Sequence, residues 1–299
     1  MLQVVLLTVL LGCASEPTGN DDGGPEAEEL AALDDEFTGA ASLGQWQWHH
    51  AVEGWPDLMQ SAAIDSSGGQ GQLVLEPQVS SWYDNWHGPL LFKEVDGDFD
   101  VVTRVDAQGL EGSLPGTPWS LTGLMARRPL AAGAAGWSLG LEDWVFITSG
   151  IGLELGLPVV ETKTTILGDS ELHLLPACAG WIDLRLVRAG GYFMALSRCP
   201  GEGWVVRARM TRFDLPPTMQ VGLTAYSGYD QMINAFGEGG AAEFNAEGMP
   251  DGYPDLRAVV DFVRFRRPVD RPSAWWDSVG LATISDEDLV TALGEGAGS

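Results

Sequence analysis

The chain is 299 residues long, 45% hydrophobic, and carries 12 Trp, 39 Gly and 17 Pro. That is too apolar for wholesale disorder, and it suits many short strands joined by turns in one large β domain or two smaller ones. A net charge of −26 excludes the basic footprint needed for nucleic acid or anionic membrane surfaces; it favours solubility outside a cell and is compatible with cation binding without requiring it.

Residues 2–11, LQVVLLTVLL, form an apolar run too short for a permanent bilayer span but suited to the core of a signal peptide. Leu10-Leu11-Gly12-Cys13 resembles a bacterial lipobox, which predicts a lipoprotein signal peptide over 1–12 and lipidation at Cys13, although the usual Lys or Arg before the run is missing. An ordinary signal peptide with an incidental cysteine fits the same residues. With Ala14 next, the expected location is the cell envelope, as an outer-membrane lipoprotein facing periplasm or exterior. Residues 13–35 are rich in Gly, Pro, Asp, Glu and Ala and read as an acidic flexible tether.

From Phe37 the pattern becomes strand-like, with Leu43, Trp46 and Trp48 opening a segment and Gln72 to Glu76 alternating clearly. Gly54 to Asp57 and Ser66 to Gly69 are turn chemistry. Trp82, Tyr83, Asp84, Asn85, Trp86 and His87 crowd together before Leu90-Leu91-Phe92, and an Asp96-Gly97-Asp98 turn precedes a strand through Phe99, Val101, Thr103 and Val105. Further strands are expected over 119–147, with Arg127-Arg128-Pro129 and the AAGAAG run as loops, and a β-like segment over 148–180. From Trp181 to Ser227 short alternating runs are cut by Ala189-Gly190-Gly191, Gly201-Glu202-Gly203 and Pro216-Pro217. Side chains alternate along a strand, so Ile182, Leu184 and Leu186 share the core side while Trp181, Asp183, Arg185 and Val187 share the other. Tyr229 to Phe236 has room for helical turns, Gly237 to Pro254 reads as a long acidic loop, and Leu256 to Arg266 is the final strand. The tail, 269–299, contains Trp275-Trp276 and a short helix N-capped by Ser285, with acidic residues at 286–288 near the positive end of its dipole and Gly294 closing it. That helix docks either on the sandwich or on a partner.

The order W-x-x-L-R-L-x-R-x-G, an aromatic hairpin strand, G-W and Q-V-G-L-x-A-Y-S, with matching stretches at 86–92, 95–101, 123–127 and 260–265, resembles jelly-roll domains of the concanavalin A-like lectin/glucanase superfamily. Accessory domains of family 43 β-xylosidases are the nearest type. The resemblance covers about residues 36–268 and implies an all-β, concanavalin A-like jelly-roll sandwich of two antiparallel sheets. It speaks to fold more than activity, since this fold carries lectins, hydrolases and inert spacers alike.

If Cys13 carries lipid, Cys178 and Cys199 are an even pair in an oxidising compartment, flanking a hairpin that turns near Gly190, so a disulfide is expected. Two buried free thiols are the alternative. For catalysis, related glycosidases place carboxylates as Glu-x-Asp-x-x-Glu on one strand. Glu94-Val95-Asp96 comes nearest, but Phe99 stands at the last position, while the adjacent Glu142 and Asp143 point to opposite faces. His49, His50, His87 and His173 are scattered, and neither a G-x-S-x-G elbow nor an HExxH helix occurs. Asp96, Asp98 and Asp100 lack the remaining ligands of a calcium loop, so calcium has no support and no cofactor or metal is expected.

A binding face fits better. Aromatic rings stack on sugars while Asp, Asn and Arg bond hydroxyls, which makes Trp82, Tyr83, Asp84, Asn85, Trp86 and His87 candidates, extended by Trp181, Asp183 and Arg185; tryptophans also commonly serve a sandwich core. The expected function is a lipid-anchored, non-catalytic binding protein for carbohydrate or another cell-surface ligand. The alternatives are a structural or protein-interaction module and a divergent glycoside hydrolase.

Overall fold

The computed structural model describes residues 30–268 and 283–296; the expected signal peptide, Cys13, most of the expected tether and Trp275-Trp276 lie outside them. Fourteen strands form two antiparallel seven-stranded sheets. Sheet B, in spatial order, consists of β1 (Gln47–Trp48), β4 (Leu90–Asp96), β13 (Thr218–Tyr226), β6 (Ser120–Arg127), β7 (Trp144–Ile151), β8 (Pro158–Ile166) and β9 (Asp169–Pro176). Sheet A consists of β12 (Val205–Thr211), β11 (Tyr192–Arg198), β10 (Ile182–Ala189), β5 (Phe99–Gln108), β14 (Arg257–Arg266), β3 (Gln72–Pro77) and β2 (Met59–Asp65). The chain crosses between sheets at β1 to β2, β3 to β4, β4 to β5, β5 to β6, β9 to β10, β12 to β13 and β13 to β14, which wraps the two layers into the expected jelly-roll sandwich.

Period-two patterning explains why the layers stack. Ile182, Leu184 and Leu186 of β10 face Leu124, Ala126, Val145 and Ile147 of sheet B in the central core, together with Val101, Val105, Val263 and Phe265. The Gly190-Gly191 pair closes the β10–β11 hairpin with Ala189 opposite Tyr192, and Gly190 adopts a φ of 59°. Cys178 and Cys199 are bridged, with Cα atoms 6.1 Å apart.

Several local expectations fail. The Phe37–Trp48 segment is not a strand: a 3-10 turn over Ala40–Gln45 precedes the two-residue β1, and helix α1 (His49–Glu53) follows at once. β2 fills the stretch between the two expected turns, where no strand is expected from sequence, because Met59–Asp65 pairs with β3 along one edge. Arg127 ends β6 rather than starting a loop. Residues 30–35, assigned to the tether, pack on the sandwich: Leu30 is buried, and Asp35 bridges to Val263 while accepting from Phe37 N and Trp46 Nε1, both at 2.8 Å. Gly237 to Pro254 is interrupted by helix α3 (Ala241–Glu247), after α2 (Tyr229–Phe236); Phe244 and Met232 bury together with Trp86 and Val79.

The outer face of sheet A is closed by helix α4 (Asp286–Leu293). Ser285 Oγ caps it by accepting from Asp288 N, and Leu289 and Leu293 pack on Val102, Val187, Met194, Leu196 and Trp204. The outer face of sheet A carries Val187 of β10 and Met194 and Leu196 of β11, which a free face would expose to water; the helix removes that exposure.

Candidate functional site

The segment from Trp82 to His87 follows β3 and lies across the outer face of sheet B. It turns sharply: Trp86 N donates to Tyr83 O at 2.8 Å, and Asp84 takes a positive φ of 49°. Asp is among the side chains that tolerate this backbone region. Asp84 is fastened to β9 by a reciprocal pair, its N donating to Ser170 Oγ at 2.6 Å while Oδ1 accepts from Ser170 N at 3.0 Å. Asn85 ties down two loops, accepting from Gly140 N at 2.7 Å and donating to Gly168 O at 3.1 Å. A side chain at Gly168 would collide with it, and that residue's φ of 76° also favours glycine. Asn245 of α3 completes the clamp, donating to Asn85 O and accepting from His87 N.

The six residues therefore separate by role. Trp82 is wholly buried among Leu90, Phe92, Met125, Trp144 and Phe146, and its Nε1 donates to Pro89 O at 3.2 Å. Trp86 packs on Phe244, and His87 is buried. Trp82 and His87 are buried, and the half-buried Asn85 spends its side chain on Gly140 and Gly168, so these three do not line the cleft. Tyr83 and Asp84 face solvent across a cleft of about 590 Å³, with the edge of Trp86 at its floor.

The opposite wall of that cleft is α2. Tyr229 meets Tyr83 edge-on at 5.6 Å, Asp230 and Asn234, four residues apart on the helix, line the same side, and Glu238, just past its end, joins them. These residues were not singled out from sequence; the signal for Asp230 and Asn234 is their four-residue spacing beside an aromatic residue, legible only once Tyr229–Phe236 is known to be helical, and Glu238 beyond the helix carries none. Burial pushes the Tyr229 phenol up to about 12, assisted by Tyr83 and the carboxylates of Asp84, Glu238 and Asp230. Burial likewise raises Asp84, against its hydrogen bonds to Ser170.

Behind this cleft a charged cluster is sealed beneath Trp55 and Trp137. Arg127, wholly buried, donates to Glu142 at 3.1 and 3.2 Å, to Glu53 at 2.7 Å and to Gln220 at 2.9 Å. Glu142 also pairs with His87 Nε2 at 2.8 Å and accepts from Trp137 Nε1 at 2.9 Å. Burial opposes ionisation of Glu142, but Arg127 and His87 outweigh it and hold the carboxyl well below the ordinary carboxylate range. Glu53 is lowered in the same way by Arg127. Glu142 and its neighbour do point apart: Asp143 reaches Arg212 and Arg128 on the other side. His49 stands beside these groups with both ring nitrogens buried and lacking a hydrogen-bond partner, and burial, then Arg127 and His87, holds it well below the usual imidazole range. A second pair, Lys163 and Glu161 at 2.7 Å, lies nearby; Glu161 accepts from Tyr226 Oη at 2.6 Å. A glycosidase acid needs a carboxyl kept protonated near neutrality. Glu53 and Glu142 are held in the opposite state.

The Trp181 group does not extend the site. Trp181 and Asp183 border a separate cleft of about 780 Å³ on sheet A. Asp183 pairs with Arg104 at 2.7 Å and Arg198 at 2.8 Å. Arg185 is buried beneath α4, bidentate to Asp100 at 2.8 and 2.7 Å, and donates to Leu293 O and Gly294 O. It is a positioning contact for the terminal helix, not a ligand group. Asp96, Asp98 and Asp100 diverge, bonding Thr218, Gly190 N and Arg185 respectively. Among the described residues no group of three or more His, Cys, Asp or Glu is placed to hold a metal ion.

No family model and no curated protein matches the chain. Among solved structures, a functionally unknown protein from Saccharomyces cerevisiae is similar at 15% identity and a TM-score of 0.49, over 76% of this chain and 99% of that one. The GH43 protein BlXynB from Bacillus licheniformis aligns at 12% identity and 0.49 over 78% of this chain, which spans 39% of that protein's length. The basic winged bean lectin, solved with Tn-antigen, aligns at 11% and 0.47, over 78% and 95% of the two chains.

Proposed function

We propose that this protein binds carbohydrate, without hydrolysing it, in the cleft bordered by the touching rings of Tyr83 and Tyr229. The observation that carries the reading is the pairing of two tyrosine rings with Asp84, Asp230, Asn234 and Glu238 around one open cavity of about 590 Å³, a size typical of small-ligand sites. Aromatic faces supply apolar contact for a sugar ring and the carboxylates and amide bond its hydroxyls. The turn bearing Tyr83 and Asp84 is fixed by Ser170 and Asn245, so little ordering is left for binding to oppose. Non-catalytic action agrees with the ionised, internally paired state of Glu53 and Glu142.

The test is glycan-array retention of the full chain beside its Tyr229→Ala variant. Retention by the parent and its loss in a folded variant support the site; equal retention by both removes it. Release of reducing sugar from common polysaccharides would replace binding with hydrolysis as the function.

We further propose that the protein works at the cell envelope, held there by acylation of Cys13, with residues after it spacing the sandwich from the bilayer. Two or more acyl chains supply stable anchoring, at about 0.8 kcal/mol per buried methylene. Cys13→Ser should release the protein from membranes and abolish incorporation of a labelled fatty acid.

A further inference from the structure

We infer that the Tyr83–Tyr229 cleft selects glycans carrying free, protonated amino groups, such as deacetylated glucosamine oligomers, over neutral or N-acetylated ones. This selectivity rests on the cleft being the glycan site proposed above.

The carboxylates of the cleft are compensated only in part, Asp84 by Lys163 from behind Tyr83. Asp84, Asp230 and Glu238 line it together, and none of the three forms an ion pair among the described residues. Neither Lys nor Arg lines it. In a chain this acidic, carboxylates facing outward from one another would be unremarkable; here three share one concavity with two aromatic rings. An ionised carboxylate only accepts hydrogen bonds, whereas an ammonium group only donates, three at a time. A sugar hydroxyl satisfies one acceptor at a time and leaves the charge in place, and an N-acetyl group offers one weak donor and adds bulk. A protonated amine meets the acceptors and neutralises part of the field.

The rings favour the same ligand. Tyrosine faces attract cations, and the concavity between low-dielectric walls focuses the field of its carboxylates. The inner side of Tyr83 already holds a cation in this way: Lys163 Nζ lies 5.2 Å from the ring centroid, its charge balanced by Glu161 at 2.7 Å. The elevated phenol of Tyr229 reports the same negative surroundings, since after burial every group acting on it is acidic or phenolic.

Isothermal titration of the full chain at about pH 6, where ordinary carboxylates are ionised, should give an affinity for a glucosamine oligomer about tenfold above its N-acetylated counterpart and above a cellulose oligomer of equal length. A tenfold difference corresponds to about 1.4 kcal/mol. The preference should collapse in the Asp230→Asn/Glu238→Gln double variant and weaken as salt is raised past the screening range, while Tyr229→Ala loses all three ligands. If the neutral oligomers bind as tightly as the amine, the charge selectivity is wrong and the glycan site stands. If the glucosamine oligomer binds the double variant unchanged, the attraction belongs to the net charge of the chain and the inference falls. If none of the oligomers binds, the site and its selectivity fall together.

Discussion

Replacing Arg127 with methionine removes the one cation that serves both Glu53 and Glu142. The side chain is wholly buried and makes three bonds to the two carboxylates, at 2.7, 3.1 and 3.2 Å. Breaking a buried pair by deleting one partner costs about 3–5 kcal/mol, because the survivor remains desolvated and unpaired. Here two carboxylates survive, yet each keeps other donors: His87 and Trp137 at Glu142, and Trp55, Gln220 and Leu130 N at Glu53. A loss of about 4 kcal/mol is therefore expected, corresponding to about 8–16 °C in Tm for a domain of this size. The loss should depend on pH. Without the cation, burial raises both carboxyls above their unfolded values, so the folded variant takes up protons and its stability is greatest below the unfolded carboxylate range and falls as pH rises through the folded values. In the parent the lowered carboxyls give the opposite dependence. The gap between the two proteins should therefore narrow from neutral pH toward about pH 4.5. Urea unfolding followed by tryptophan fluorescence, with equal m-values, measures it. A loss under about 1 kcal/mol at neutral pH, or a gap that is constant or widens in acid, would refute the account of this cluster.

Three further outcomes follow from other parts of the fold. His49 is buried with its imidazole held well below the usual range, so its contribution is complete above the unfolded value of about 6.5 and is lost as pH falls below it, with a slope of up to about 1.4 kcal/mol per pH unit; His49→Phe should flatten that part of the stability profile. Changing Cys178 and Cys199 to serine opens the closed loop, a sequence separation of 21, and should lower stability by about 3 kcal/mol, seen by comparing melting of the variant with the reduced and oxidised parent. Leu289→Ala, at a fully buried position of α4, should cost about 2–5 kcal/mol if the helix is part of the cooperative unit. Loss of helix protection in hydrogen exchange without a change in global unfolding would show instead that α4 detaches independently.

The strands that alternate most clearly were the ones read correctly. Ile182, Leu184 and Leu186 point to the core and Asp183, Arg185 and Val187 away from it, as period two requires. The glycine pair at 190–191 and the Asp96–Asp98 turn were legible because positive-φ and turn chemistry is local. The pairing of Cys178 with Cys199 was expected from their even number once Cys13 is set aside and from their positions flanking the hairpin. Local signals misled where tertiary packing overrides them. Met59–Asp65 becomes a strand because β3 offers it an edge, and Trp46 ends a 3-10 turn, held by Asp35, leaving only Gln47–Trp48 as strand there.

What the amino-acid order determined by itself was which side chains share a face, where the chain reverses, and that two antiparallel layers would stack. It did not determine what covers their outer faces. Trp82 and Arg185 both carry groups suited to ligands, and both are buried: one by its own segment folded over sheet B, the other by a helix about a hundred residues downstream. Tyr83 and Asp84 border an open cleft because α2 and the residue just past it pack beside them, bringing Tyr229, Asp230 and Glu238 from far along the chain. Alternation acts between neighbours in sequence, whereas exposure is set by which distant surface arrives to exclude water, and only the tertiary structure decides that.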